Sequence, residues 1–386
     1  MKNIWITAVL LSFVLAANAQ KSSKLHQKAI VVDTHGDIIS DQIKSGIDIG
    51  IRQATGDFDL ARAKEGGLDV QVFSIWCDDS GGYALANRQI DSLEALVKRY
   101  PDKISLVKNA AELKLAVKQG KLAALIGVEG GHMIEDRLDY LEALAKRGMT
   151  YMTLTWNNST SWASSAADET SKKDDLKNPG LSHLGEQIVK RMNELGVIVD
   201  LSHVGERTFY NAIAVSKKPV MASHSSAYNF NAHSRNLKDD QIRAIAKTGG
   251  VVFVNFYSGF LDSTYSAKQS RFNAVHRDEL ESLTKKYNDK VKANAEIKER
   301  YKQELEAMRA PLSLLIDHID YIAKLVGSDH VGLGADYDGA ESYPKGLDDV
   351  SDYPLVTEAL LLRGYSPKEV KNIMGANFVR LLKMVK

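Results

Sequence analysis

Cysteine is nearly missing: Cys77 is the only one in 386 residues, so no internal disulfide can form. Beside Trp76 it reads as buried packing. Net charge is missing too, 50 basic residues against 49 acidic ones giving +1, so nothing argues for nucleic acid or an anionic membrane as partner. No apolar run beyond the first residues approaches the ~20 residues of a spanning helix. The G-x-S-x-G, H-E-x-x-H and P-loop patterns are also absent, which removes the serine-hydrolase elbow, the helical zinc motif and the phosphate cradle. What is there is a chain 44% hydrophobic, enough to bury a large core.

The amino terminus has a basic start at Lys2, an apolar stretch from Ile4 to Leu15 and a small-residue end, Ala17-Asn18-Ala19. This pattern predicts a secretory signal peptide over 1–19, cleaved after Ala19. The stretch is short for a membrane anchor, and no cysteine follows the cleavage site for a lipid to modify. Residues 20–386 are therefore expected as an exported protein, periplasmic or secreted.

Eight apolar runs alternate with amphipathic helical patterns: 30–34, 69–76, 122–128, 150–155, 196–202, 219–223, 249–256 and 330–335. Buried parallel strands read as near-continuous apolar stretches. Between them lie helical patterns such as 86–99, 138–146 and 184–194, with Gly148, Gly196 and Gly249 placed to end helices. Eight βα units predict an α/β fold closed into a single (β/α)8 TIM-like barrel, with a doubly wound open sheet as the rival. Residues 263–310 are highly charged and strandless, which predicts one or two exposed helices inserted after the seventh strand. A solvated helical face is the plain reading of that insertion; a lid over the rim or a homodimer contact is the alternative.

Five ligand-type side chains follow four of these runs: His35 and Asp37 after the first, Glu129 after the third, His203 after the fifth and His224 after the sixth. In a barrel those positions fall on the rim that carries chemistry. In an extended chain residues i and i+2 face the same side, so His35 and Asp37 can converge on one ion; imidazole and carboxylate suit zinc. Glu129 lies among Gly127, Gly130 and Gly131, where a carboxylate can reach a crowded centre and bridge two cations. Asp336 and Asp338 end the eighth run. Asp336, nearer the strand, is the candidate to carry a proton to a leaving amine, whereas Asp338 suits a loop cap.

Together GVEGGH (127–132), HSSA (224–227), SRN (234–236), VNFY (254–257) and HVGLGADYDG (330–339) resemble the membrane (renal) dipeptidase family of binuclear zinc peptidases, over nearly the whole chain from His35 to ANFVRLL at 376–382. The resemblance implies two zinc ions per chain. His35 and Asp37 would bind one, His203 and His224 the other, with Glu129 bridging, and a hydroxide between the metals would attack the peptide carbonyl. It implies that Arg235 pairs with the free carboxylate of a dipeptide and that Asp336 contacts the substrate amine and shuttles protons. One departure stands out. The family pattern L-T-H-x-x-N, whose histidine polarises the scissile carbonyl, reads here Leu154-Thr155-Trp156-Asn157-Asn158-Ser159. Trp156, in that substrate-binding position, can donate through its indole but cannot become cationic. Phe260 stands where many relatives carry tyrosine. The rival functions are an N-acyl amino acid hydrolase on the same barrel and a catalytically weakened binding protein.

Overall fold

The computed structural model describes residues 20–77, 81–172, 175–176 and 179–386. The expected signal peptide, 1–19, lies outside the described residues. Among the described residues nine parallel strands form: β1 Val32–Asp33, β2 Val70–Trp76, β3 Ile104–Leu106, β4 Leu122–Glu129, β5 Met149–Thr153, β6 Ile198–Asp200, β7 Met221–Ala222, β8 Val251–Val254 and β9 Val331–Leu333. Eight run in the order β1-β2-β4-β5-β6-β7-β8-β9, the barrel that the apolar runs predict.

The ninth was not anticipated. β3 pairs with the start of β4, Ile104 opposite Leu122, while β5 joins β4 only from Ile126 onward. A three-residue ISL segment carries too little periodicity to be read as a strand.

Between β9 and β1 the barrel closes through loop backbone rather than a regular ladder. Thr34 N–H donates to the Leu333 carbonyl (3.2 Å), Asp336 N–H to that of His35 (3.1 Å) and Asp37 N–H to that of Tyr337 (3.0 Å). The buried Asp33 carboxylate latches this seam. One oxygen accepts from Ala335 N–H (2.9 Å) and His35 N–H (3.2 Å), the other from the Tyr353 hydroxyl (2.6 Å). The strands that carry His35 and Asp336 are thereby fixed side by side.

Strand interiors are fully buried, as at Val70, Val72, Phe73 and Ile75, each contributing about 1.5–3 kcal/mol by leaving water. The helices present one apolar stripe inward; Gly82–Arg99 buries Ala86, Ile90, Leu93 and Leu96 at helical spacing. Gly148 and Gly196 adopt left-handed backbone just after the helices Leu138–Arg147 and His183–Leu195, letting the chain turn into β5 and β6. Cys77 is buried against Met133, 3.5 Å between sulfurs.

The insertion after β8 is larger than expected. Four helices, Tyr265–Val275, Arg277–Tyr287, Lys290–Arg300 and Lys302–Met308, replace the one or two predicted. They enclose their own small core of Tyr265, Phe272, Leu283, Ala293, Ile297 and Met308. Short helices with few apolar residues apiece blur into one charged stretch in sequence, and only the bundled state reveals a shared inner face.

His318, buried in the helix Leu312–Val326, ties the segment after β7 to the start of the insertion. Its Nδ1 accepts from Ala227 N–H (3.0 Å), and its Nε2–H donates to the Leu261 carbonyl (3.1 Å). Those bonds need a neutral ring, and burial lowers its pKa from 6.5 to about 4. A depressed histidine stabilises the fold above the unfolded value and loses that contribution as pH falls through 6.5 toward 4. The stability advantage of the parent over His318→Leu should shrink across that window by on the order of 3 kcal/mol. Denaturant titrations of both proteins at pH 7 and pH 4.5 measure it; an advantage independent of pH would refute the neutral-ring assignment.

Candidate active site

The carboxyl ends of β1, β4, β6, β7 and β9 meet at one mouth, and the side chains singled out in the sequence gather there. Glu129, the last residue of β4, is buried at the centre. His203 Nε2 lies 3.0 Å from Glu129 Oε1, and His224 Nε2 lies 3.4 Å from the same oxygen. On the other side His35 Nε2 lies 3.3 Å from Oε2. Asp37 and Asp336 stand 3.8 and 3.9 Å from His35 Nε2. Two overlapping groups could hold a cation: His35, Glu129 and His224, and His35, Asp37 and Asp336. Asp336 thus stands inside the ligand group, closer than a pure proton carrier requires.

Every imidazole is oriented by what its other nitrogen meets. The Tyr151 hydroxyl donates to the Thr34 carbonyl (3.1 Å), so at 2.7 Å from His35 Nδ1 it accepts a proton from that ring. Ser223 Oγ–H donates to Asp200 (2.7 Å) and so accepts from His224 Nδ1–H, again at 2.7 Å. His203 Nδ1 faces the Asn157 amide oxygen at 3.1 Å. With protons on the three Nδ1 atoms, all three Nε2 atoms are left to face Glu129. Tyr151 reaches its place because residue 127 is glycine; a Cβ there would lie 2.2 Å from the phenol ring.

The charge balance follows from burial and proximity. Burial alone would lower the pKa of His35, but Glu129, then Asp336 and Asp37, outweigh it and hold it at about 10. Burial would raise Glu129, yet the three histidines draw it well below the usual carboxylate range. Burial raises Asp336 to about 6, against the pull of His35, and raises Asp37 with Glu129 adding to it. His203 falls to about 4 through burial and then the Arg235 charge; His224 falls well below its ordinary value through burial and then His35.

These residues fit a metal. His35 Nε2 and Asp37 Oδ1 are buried polar atoms without a hydrogen-bond partner. His203 Nε2 and His224 Nε2 are only 3.0 Å apart. Lone pairs facing one another around a carboxylate form a nitrogen and oxygen donor set that suits zinc. The carboxylate field that keeps a proton on His35 favours a dication in its place, since metal and proton compete for the same lone pair.

Arg235 is buried beside this cluster. Its Nη atoms lie 3.3 Å from Ser225 Oγ and from the His224 carbonyl, and its guanidinium lies 5.3 Å from the Phe260 ring centroid. Burial draws its pKa down to about 10. Its Nε has no partner. Half-buried Trp156 packs edge-on against Trp76 at 5.1 Å, with its ring 6.4 Å from that of His203. Asp338 braces a loop, accepting from Asp57 N–H at 2.8 Å, as expected of a loop cap.

Several residues in this arrangement escaped sequence reasoning: Tyr151, Asp200, Ser223, Ser74, which donates to Glu129 (3.1 Å), and Asn255, which donates to Asp336 (3.0 Å). Asp200 left a signal. A carboxylate inside the apolar run GVIVDLS must find donors when buried, and here it accepts from Thr153, Ser223 and the Ser202 N–H.

The sequence model of the membrane dipeptidase family, peptidase family M19, matches residues 19–386. The fold is similar to that of the probable dipeptidase PvdM from Pseudomonas aeruginosa (24% identity, 96% of this chain and 98% of that one, TM-score 0.80). It is also similar to an amidohydrolase from Pseudomonas aeruginosa (23%, 94% and 98%, TM-score 0.71). A third similar structure is a metallopeptidase from Rhodobacter sphaeroides liganded with a phosphinate mimic of the dipeptide L-Ala-D-Ala (22%, 93% and 100%, TM-score 0.74). By the match over residues 19–386 the chain belongs to the membrane dipeptidase family, the M19 metallopeptidases, and is a hydrolase of peptide bonds.

Proposed function

We propose that this protein is an exported, zinc-dependent dipeptidase that cleaves small dipeptides carrying a free C-terminal carboxylate. The observation that carries the reading is the convergence of three imidazole Nε2 atoms on the single carboxylate of Glu129. In this reading His35 and Asp37 hold one zinc ion, His203 and His224 a second, and Glu129 is shared. Bound zinc supplies Lewis acidity toward a carbonyl oxygen and a water nucleophile at neutral pH.

The chain's own residues do the remaining work. Asp336, held by Asn255 and raised to about 6 by burial, is suited to take a proton and hand it to the leaving amine. Arg235 offers a desolvated guanidinium fork to the substrate carboxylate. Trp156, packed edge-on against Trp76, contributes no ionisable group to the mouth. Support for a dipeptide substrate comes from the Rhodobacter relative, which binds a dipeptide mimic.

Residues 20–386 would form the mature enzyme as one barrel domain carrying the helical insertion. Export rests on the Lys2, Ile4–Leu15 and Ala17-Asn18-Ala19 pattern. Among the described residues no helix is long and apolar enough to cross a membrane.

Purified protein loaded with zinc should contain about two ions per chain, since a shared carboxylate between two imidazole sets exceeds the needs of one. Glu129→Gln should lose at least one ion and nearly all dipeptidase activity; elemental analysis showing full occupancy with normal turnover would remove the bridging role.

Arg235→Ala should raise KM on the order of tenfold to a hundredfold, with a smaller loss in kcat. A dipeptide amide should be a poor substrate for the parent. Equal cleavage of amide and free acid would contradict carboxylate recognition and favour a broader amide hydrolase.

A further inference from the structure

The three imidazoles are each oriented through Nδ1, but by partners of different kinds. Tyr151 and Ser223 are fully buried hydroxyls, tied in turn to the Thr34 carbonyl and to Asp200. His203 leans instead on Asn157, an exposed residue with a neutral amide.

Although its side chain is exposed, Asn157 sits on a braced loop. Ser165 Oγ–H donates to the Asn157 carbonyl (2.8 Å), and the same hydroxyl accepts from Asp168 N–H (3.1 Å). Ser159 donates to Asp168 Oδ2 through both N–H (2.9 Å) and Oγ–H (2.6 Å). This loop is also stitched to the backbone of His203: Ala166 N–H donates to the His203 carbonyl (2.7 Å), and Ser165 bridges Val204. His203 has φ of 66°, left-handed backbone that side chains seldom adopt. The bonds from 165–166 keep it there. The same segment thus fixes the His203 backbone and delivers the amide oxygen to its ring.

We propose that Asn157 is a positioning residue for His203. Its Oδ1 accepts the Nδ1 proton, turns the Nε2 lone pair toward Glu129, and so sets the zinc affinity of the His203–His224 half of the centre. The half built on His35 and Asp37, oriented by Tyr151, is independent of it. The inference rests on the two-zinc reading above. An uncharged amide makes Nε2 less basic than a carboxylate partner would.

The test is zinc titration of chelator-stripped protein, resolving two binding steps, in the parent and in Asn157→Leu, Asn157→Asp and His203→Ala. Asn157→Leu should weaken one step roughly 10–100-fold and leave the other unchanged. Asn157→Asp should tighten that step beyond the parent. Parental affinities in Asn157→Leu, alongside loss of a step in His203→Ala, would overturn the inference and leave the two-zinc reading standing. Both steps intact in His203→Ala would overturn that reading and the inference with it. Equal weakening of both steps in Asn157→Leu, or no recovery in Asn157→Asp, would show a structural role only and overturn the inference. Should Asn157→Leu fail to fold, Asn157→Asp decides alone: a tighter step supports the proposal and an unchanged one refutes it.

Discussion

Glu129 is a buried carboxylate with three imidazole nitrogens within 3.4 Å, and much of the barrel mouth is arranged to make that position tenable. An isolated carboxylate in such a place would cost several kcal/mol. Here it is met by three histidines and by the Ser74 hydroxyl, each brought from a different strand. Parallel strands aim their carboxyl ends at one point, so residues far apart in sequence arrive together without long loops. The supporting groups follow from the same need. Tyr151, Ser223 with Asp200, and Asn157 each occupy the far nitrogen of one ring, leaving the near nitrogens to face the carboxylate.

The seam between β9 and β1 is the second constraint. It carries His35 and Asp37 on one side and Asp336 on the other, and short backbone contacts join it in place of a regular ladder. Asp33 spans it with a fully buried carboxylate whose three donors come from β1, the β9 end and Tyr353. Burial raises its pKa to about 6 while those donors pull the other way. Stability and site geometry therefore meet in one side chain two residues from a candidate ligand.

The strand-end positions of His35, Asp37, Glu129, His203, His224 and Asp336 were legible because a period of βα units fixes where carboxyl ends fall, whatever the loop lengths. The barrel itself was legible for the same reason. The pieces that escaped were local and weak in pattern: β3, with three residues, and the four helices of the insertion, whose apolar residues are too sparse to show a face singly. Partners such as Tyr151 and Ser223 were hidden for a different reason. Their roles depend on which strand lies beside which ligand, information that no single segment carries. Trp156 was legible as a departure, but its packing against Trp76 was not, because the two are distant in sequence and meet only at the mouth.

In the proposed centre Glu129 is shared between two cations, one on the His35–Asp37 side and one on the His203–His224 side. Anomalous diffraction at the zinc edge from crystals of the zinc-loaded protein tests it directly. Two peaks about 3.5–4 Å apart are predicted, one within roughly 2.0–2.2 Å of His35 Nε2 and an Asp37 oxygen, the other equally close to His203 and His224 Nε2. A Glu129 oxygen should approach each. A single peak, or two peaks of which one lacks Glu129, would contradict a shared Glu129.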